Sequence, residues 1–331
     1  MTESVSPVFS IIVAVYNAQR YLEETLRALS AQTFSAFEVV MVNDGSTDQS
    51  AELAQKFCDQ DPRFRLFHTP NQGISPTRNL AVQHATAPWI AVCDADDTWT
   101  PDKLELQHRF IQQWAATQAE PMLALGTSGD LINGKGEQIR MVNTQERPWP
   151  TVLHDEATLH ELHMINSSVV FQREVFLRLG GYRAEYTPTE DTDLWVRFSE
   201  HGAVINMPDH LTHYRMHSSN ISESHYPVMI LNLYRIQANT ERRRQQLPEW
   251  SAEQFTARMR QNRPQYVRTM KNLQHMKYYN RAKNRWGNGH YLGVVAPLVQ
   301  ACLVSPSRTV KLFLRSEVYR TSRLHWRRHP G

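Results

Sequence analysis

The chain has 331 residues, of which 41% are hydrophobic and 21% charged, a balance typical of folded globular proteins that excludes a disordered or fibrous chain. This length allows one α/β domain of ordinary size and leaves about a hundred residues for an extension. A net charge of +3 and the lack of any RNA- or DNA-binding motif argue against nucleic acid as a partner.

Strand and helix patterns alternate four times over the first 114 residues. Apolar, β-branched strand patterns lie at residues 9–15, 37–42, 64–67 and 89–93. Helical spacing of apolar residues follows them, at residues 21–29, 51–57, 76–85 and 101–114. The alternation predicts an α/β fold with a Rossmann-like, mostly parallel sheet flanked by helices on both faces. In such sheets ligands bind at the carboxyl ends of the strands.

The pattern changes after the fourth helix. Gly126 to Asn166 contains several Gly and Pro residues and is predicted to be a loop-rich connection. A short strand at 168–171, a helix at 174–179 and a helix entered at Asp191 follow. Beyond about residue 226 the sequence is helical and rich in Arg and Gln. We therefore predict one domain at residues 1–225 and a helical C-terminal extension at residues 226–331.

Three carboxylates stand within four positions directly after the fourth strand, in Asp94-Ala95-Asp96-Asp97. They would repel one another unless a positive charge lay among them. A divalent cation is the economical answer, because carboxylate oxygens suit Mg²⁺ or Mn²⁺, which keep other ligand positions for phosphate. The alternative is structural, with Asp97 or Thr98 capping the helix that follows.

Two more polar segments follow strands. Asp44 comes after the second strand and is placed to accept a hydrogen bond from a nucleobase or ribose, although turn chemistry explains its segment equally well. Arg78 lies near the start of the third helix, in Gly73 to Asn79, where its planar guanidinium suits a diphosphate. The alternative for Arg78 is a solvated helix side chain.

The order of these segments is more specific than any one of them. Further segments continue the series at Gly180-Gly181-Tyr182, residues 189–195 and residues 214–217. Together they resemble the family 2 glycosyltransferases of GT-A fold, which invert the anomeric configuration, and the resemblance covers roughly residues 8 to 222. The family often begins its second motif with Asp-Asp, whereas this chain has Asn43-Asp44.

The resemblance implies a role for each matching position. It assigns nucleotide binding to Ala14, Tyr16, Asp44, Arg78 and Asp94. It assigns metal binding, of Mn²⁺ or Mg²⁺, to Asp96 and His217. It makes Asp191 the base that takes the proton of the acceptor hydroxyl, with Glu190 beside it on the acceptor side. Structural roles remain the alternative. Glu190 and Asp191 would then only place negative charge at a helix N-terminus, and His217 would be a half-buried histidine with its hydrogen bonds satisfied.

The resemblance also implies an activity. We expect a metal-dependent, hexosyltransferase-like enzyme that moves a sugar from a nucleotide-diphosphate donor, with a UDP-sugar favoured, to a hydroxyl of a glycan or lipid-linked acceptor. Synthesis of cell-envelope or exported polysaccharide is the expected setting. The alternatives are a non-catalytic nucleotide-sugar-binding protein of the same fold and a nucleotidyltransferase.

The cellular location of the protein is predicted from its cysteines, its apolar runs and the charge of its C-terminal tail. Cys58, Cys93 and Cys302 are far apart and odd in number, which indicates a reduced, cytoplasmic compartment. The longest apolar run, residues 291–304, is shorter than the roughly 20 residues that a membrane span needs. Residues 308–331 carry seven Arg and Lys against one Glu, interleaved with apolar residues. Such a tail either contacts the inner face of the cell membrane or packs on the domain.

Overall fold

The structure is a computed structural model that describes residues 6–142, 151–152, 164–217, 225–287, 291–306 and 309. It divides into two compact units. The N-terminal unit comprises residues 1–132 and 138–215, and the C-terminal unit comprises residues 133–137 and 216–331. The predicted basic tail, residues 308–331, lies outside the described residues except for Thr309.

The described strands of the N-terminal unit form one ten-stranded sheet. They are β1 Phe9–Val15, β2 Phe37–Asp44, β3 Phe64–Thr69, β4 Trp89–Val92, β5 Thr98–Trp99, β6 Met122–Ile132, β7 Gln138–Val142, β8 Thr151–Val152, β9 Val170–Gln172 and β10 Ala203–Arg215. The main order is β3-β2-β1-β4-β9-β6-β10-β5, with β7 beside β6 and β8 beside β10. The longest ladders, β6 with β10 and β1 with β2, are parallel, whereas β9 runs antiparallel to its neighbours.

Six helices in the described residues of the N-terminal unit flank this sheet. They are α1 Leu22–Ser30, α2 Ser50–Gln60, α3 Ile74–His84, α4 Lys103–Thr117, α5 Arg173–Arg178 and α6 Glu190–Ser199. Helix α1 buries Leu22, Thr25, Leu26 and Leu29, the spacing of one helical face. Each fully buried leucine of this kind stabilises the fold by roughly 1.5–3 kcal/mol.

Alternate residues of the strands supply two hydrophobic cores, one on each face of the sheet. Ile11 and Val13 of β1 belong to the core that includes residues of α1, α2 and α4. Ile12 between them belongs to the core that includes residues of α3, α5 and α6. This alternation follows from the two-residue repeat of a strand. The predicted α/β class, with helices on both faces and a C-terminal helical extension, is confirmed.

The loop-rich interpretation of Gly126 to Asn166 is wrong for its described part. This region contains most of the eleven-residue strand β6, together with β7 and β8. Its two strand glycines are required by close packing and do not mark turns. A Cβ at Gly126 would lie 2.2 Å from Asn206 Oδ1, and one at Gly129 would lie 2.4 Å from Thr212 O. Residues 143–150 and 153–163 are outside the described part.

The C-terminal unit is helical in its described residues. Its helices are α7 Tyr226–Arg244, α8 Ala252–Gln261, α9 Arg263–Gly287 and α10 Val295–Val304. Helix α8 begins with a capping box, in which Ser251 and Gln254 each accept a hydrogen bond from the other's backbone N–H. Among the described helices, none combines the length and the apolar character that crossing a membrane requires.

Candidate active site

The polar segments predicted from sequence leave the sheet at one edge. Strands β2, β1 and β4 are neighbours and run parallel. Their carboxyl ends therefore bring Asp44, Tyr16 and Asp94 to the same side of the sheet. Tyr16 is 52% exposed, whereas Ala14 just before it is half-buried. The loops after β1 and β2 are joined directly, because Asn17 Oδ1 accepts a hydrogen bond of 2.8 Å from Thr47 N.

Asp44 fixes the loop that leads into α3. Its two carboxylate oxygens accept hydrogen bonds from Gln72 N, at 2.9 Å, and from Gly73 N, at 3.0 Å. Asp44 itself is only 3% exposed. Gly45 allows this close approach, since its φ is +69° and a Cβ there would lie 2.8 Å from Asn71 N. Contact of Asp44 with a nucleotide stays a prediction.

Arg78 is buried and joins two carboxylates from distant parts of the chain. Its Nη2 donates to Asp94 Oδ1 at 2.5 Å, and its Nη1 donates to Glu190 Oε1 at 2.9 Å. The guanidinium carbon lies 5.5 Å from the centre of the Tyr182 ring. Although burial disfavours the cation, the charges of Asp94 and then Glu190 raise the pKa of Arg78 above its usual value. Arg78 is thus a charged bridge and not a solvated helix side chain.

Asp191 follows Glu190 in the first turn of α6 and retains partial exposure. Its Oδ1 accepts a hydrogen bond of 2.6 Å from Thr192 N. Burial, and after it the negative charge of Glu190, raises the pKa of Asp191 to about 7. A carboxylate with this pKa is partly protonated near neutral pH and is suited to accept a proton in a reaction. Asp191 does lie at a helix N-terminus, and its role as the base stays a prediction.

Salt bridges hold α6 in place. Asp193 is 1% exposed and is paired with Arg183 and with Arg197. Arg197 also donates to the backbone oxygens of Leu179 and Gly181 at 2.8 and 2.6 Å. The first turn of α6, which carries Glu190 and Asp191, is therefore fixed against the segment that follows α5.

Arg215 and Ser167 hold the acidic segment after β4, and no sequence pattern indicated either role. Arg215 donates from its backbone N to Asp97 Oδ1 and from its Nε to Asp96 O, both at 2.8 Å. Ser167 Oγ accepts from Asp94 N at 3.0 Å. Asp97 is fully buried, so burial, followed by the charges of Asp96 and Asp94, raises its pKa well above the usual value. Neither Asp97 nor Thr98 is the N-cap of α4, which begins at Lys103 after Asp102.

A buried lysine lies behind this segment. Lys103 is 0% exposed, donates to Gln107 Oε1 at 2.8 Å, and places its Nζ 3.8 Å from the centre of the Trp99 ring. Trp99 in turn donates from Nε1 to Ser167 O at 2.7 Å. Burial lowers the pKa of Lys103 to about 7. The sequence showed this lysine only as a member of a predicted helix.

The acidic segment fits a divalent cation that also binds phosphate. Its carboxylates raise one another's proton affinity, as the pKa of Asp97 shows, and their oxygens are the ligands that Mg²⁺ and Mn²⁺ prefer. Within the described residues, no group of three or more His, Cys, Asp or Glu side chains is arranged as a complete metal site. A cation bound through nucleotide phosphates needs only one or two carboxylates. The roles of Asp96 and His217 as ligands stay predictions.

Comparison with known proteins identifies the class of enzyme that this fold and site define. The family model described as Glycosyl transferase family 2 matches residues 10–180, just over half of the chain. The chain belongs to this family, and the predicted resemblance is confirmed. A Rickettsia felis protein named as an uncharacterized glycosyltransferase is 27% identical over 233 residues, which are 68% of this chain. The match covers 36% of that relative, so the chain spans about a third of its length.

Solved structures share the fold. Staphylococcus aureus TarS in complex with UDP-GlcNAc aligns with a TM-score of 0.59 at 17% identity and covers 89% of this chain and 91% of the TarS chain. The mannosyltransferase PcManGT from Pyrobaculum calidifontis, in complex with GDP-Man and Mn²⁺, aligns with a TM-score of 0.54 at 17% identity, over 96% and 83% of the two chains. The predicted GT-A fold is confirmed.

Proposed function

We propose that the chain is an inverting glycosyltransferase that moves a sugar from a nucleotide-diphosphate donor to an acceptor hydroxyl. The observation that carries the proposal is the bridge of Arg78 between Asp94 and Glu190, with Asp191 next to Glu190. It connects the segment expected to bind the donor with the carboxylate expected to act on the acceptor. Family membership supplies the sugar-transfer chemistry.

The roles follow from position and charge. Asp191 accepts the proton of the acceptor hydroxyl as that oxygen attacks the anomeric carbon. Burial, and after it the charge of Glu190, which pairs with Arg78, raises the pKa of Asp191 for this role. Asp44, Arg78 and Asp94 shape the nucleotide side, together with backbone at Ala14 and Tyr16. Attack from the side opposite the leaving diphosphate inverts the anomeric configuration.

A divalent cation, Mn²⁺ or Mg²⁺, would be held by Asp96 and His217 and would neutralise charge on the leaving diphosphate. The Mn²⁺ in the PcManGT complex supports this assignment. His217 stands two residues after the end of β10, the strand whose last residue, Arg215, clamps Asp96 and Asp97.

We propose a UDP-sugar as the donor, because the structural relative with the higher TM-score binds UDP-GlcNAc. GDP-Man, bound by PcManGT, is the competing donor. A glycan or lipid-linked acceptor in cell-envelope or exported polysaccharide synthesis remains our proposal for the second substrate. Cytoplasmic location, with contact of residues 308–331 with the inner membrane face, likewise stays a prediction.

The test is a panel of nucleotide-sugars incubated with the full chain in the presence of Mn²⁺, of Mg²⁺ or of EDTA. Release of nucleoside diphosphate by slow donor hydrolysis identifies the donor without knowledge of the acceptor. We expect release from a UDP-sugar and its loss in EDTA. Release of pyrophosphate would indicate a nucleotidyltransferase, and donor binding without turnover would indicate a non-catalytic binding protein.

A further inference from the structure

The two units of the chain carry opposite net charges. Residues 1–215 contain 16 Lys and Arg against 28 Asp and Glu, a net charge of −12. Residues 216–331 contain 20 Lys and Arg against five Asp and Glu, a net charge of +15. The net charge of the whole chain, +3, does not reveal this separation. A surface with such a positive charge attracts anionic partners at long range.

Much of the positive charge lies on described helices, outside the predicted tail. Residues 225–306 hold 13 Lys and Arg against three Glu. On α9, the exposed residues Arg263, Val267, Lys271, Gln274 and Arg281 recur at helical spacing. This helix therefore presents a basic stripe to solvent.

Helix α10 exposes an apolar stripe. Val295, Val299 and Leu303 are 62%, 52% and 80% exposed and are spaced four residues apart, so they share one side of the helix. Pro297 and Ala301, on the other side, are buried. Burying these three exposed aliphatic side chains against an apolar surface would be favourable, because it removes them from water.

We propose that the C-terminal unit binds an anionic membrane surface, with Val295, Val299 and Leu303 inserted among the lipids and the basic residues of α9 near the headgroups. Apolar insertion with surrounding cations is how interfacial helices bind anionic lipid. A second copy that docked through the same helices would bring together two C-terminal units of charge +15. A nucleic acid would use the cations and leave the aliphatic row uncovered, because base stacking requires aromatic side chains. The proposal goes beyond sugar transfer and does not depend on it.

The test is flotation of the full chain with phosphatidylcholine vesicles that contain or lack phosphatidylglycerol. We expect binding only to the anionic vesicles and weaker binding as salt is raised. The combined change Val295→Ser, Val299→Ser and Leu303→Ser removes no charge and should lower vesicle partitioning by about 10-fold or more. The combined change Arg263→Gln, Lys271→Gln and Arg281→Gln should lower it about 5-fold for each charge removed.

Matched controls come from the N-terminal unit. Ile139→Ser, Met141→Ser and Leu177→Ser remove exposed apolar side chains there, and Arg27→Gln, Lys56→Gln and Arg109→Gln remove exposed charges. These variants should float like wild type, and all variants should keep the wild-type circular dichroism spectrum and donor hydrolysis. Unchanged flotation of the Val295/Val299/Leu303 variant would overturn the proposal. So would equal binding to neutral vesicles, a dimer that this variant dissociates, or binding to an oligonucleotide without binding to vesicles.

Discussion

The two halves of the N-terminal sheet use their carboxylates differently. In the half from β3 to β4, Asp44 satisfies both of its oxygens with backbone N–H groups and fixes a loop. In the half from β9 to β10, Asp191 lies at the start of α6 with its pKa raised to about 7. The loops of the first half are thus held by hydrogen bonds within the chain. The second half keeps a carboxylate whose protonation changes near neutral pH.

Arg78 joins these halves. It lies on α3 in the first half and forms ion pairs with Asp94, which follows β4, and with Glu190 in the second half. A rearrangement of Asp94 on donor or metal binding would therefore change the charge around Glu190 and Asp191. We therefore expect changes in one half to leave the other intact, except at residues that join the halves, such as Arg78 and Arg215.

Replacement of the proposed base should have the largest effect. Asp191→Asn keeps the side-chain oxygen that accepts from Thr192 N but cannot accept a proton, so transfer should fall by about 10²–10⁴-fold. Donor binding, measured by calorimetry, should stay within a few-fold of wild type because the first half is untouched. Asp209→Asn, at an exposed strand position, is the matched control. Full transfer by Asp191→Asn would remove Asp191 from the mechanism.

Removal of the link should destabilise both halves. Arg78→Met leaves the largely buried carboxylate of Glu190, and that of Asp94, without their partner, which should lower the free energy of unfolding by about 3–5 kcal/mol. Arg109→Met breaks an exposed pair with Glu105 and should cost less than about 1 kcal/mol. Urea unfolding of both variants provides the measurement. An equal loss of unfolding free energy in both variants would show that Arg78 stabilises the protein no more than a surface arginine does.

The first half could be predicted from sequence because its signals are local. Strands β1, β2 and β4 are continuous apolar runs, and polar turn residues follow each of them directly. The order of those turns placed Asp44 and Asp94 at one edge, where the structure has them. Parallel strands buried on both faces give this pattern whatever their partners are.

In the second half, the strand at 168–171 and the helices at 174–179 and from Asp191 were predicted, whereas β6 and β10 were missed because their signals depend on contacts between distant segments. Gly126 and Gly129 indicate turns in the sequence, yet they allow β6 to approach β10. Strand β10 contains Asp209, His210 and His213, and its pairing with β6 shifts register around residues 207–212, so it shows no clean alternation. The ion pair of Arg78 with Glu190 joins residues 112 positions apart, a contact that a local pattern cannot indicate.

Lys103 tests the packing at the β5 end of the sheet, where it lies against Trp99. Because its folded pKa, about 7, lies below the value of about 10.5 in the unfolded chain, the unfolded state binds more protons between these values and stability rises with pH. Between pH 7 and 9 the unfolding free energy of wild type should rise by about 2 kcal/mol relative to Lys103→Met. Urea unfolding at the two pH values measures this difference. Lys56→Met, at an exposed position, should follow the wild-type pH dependence.

The pH dependence of transfer gives the smallest expected effect and separates the two halves most directly. Asp191 must be ionised to accept a proton, so kcat/KM should rise about 10-fold between pH 6 and pH 8, with a midpoint near the pKa of about 7. Glu190→Gln removes the neighbouring negative charge that contributes to this pKa, so the midpoint should move to lower pH. Donor affinity, which we propose depends on the first half, should not follow the same curve. A midpoint that stays at the same pH in Glu190→Gln would mean that the titrating group is not Asp191, since Glu190 is the largest charge acting on it.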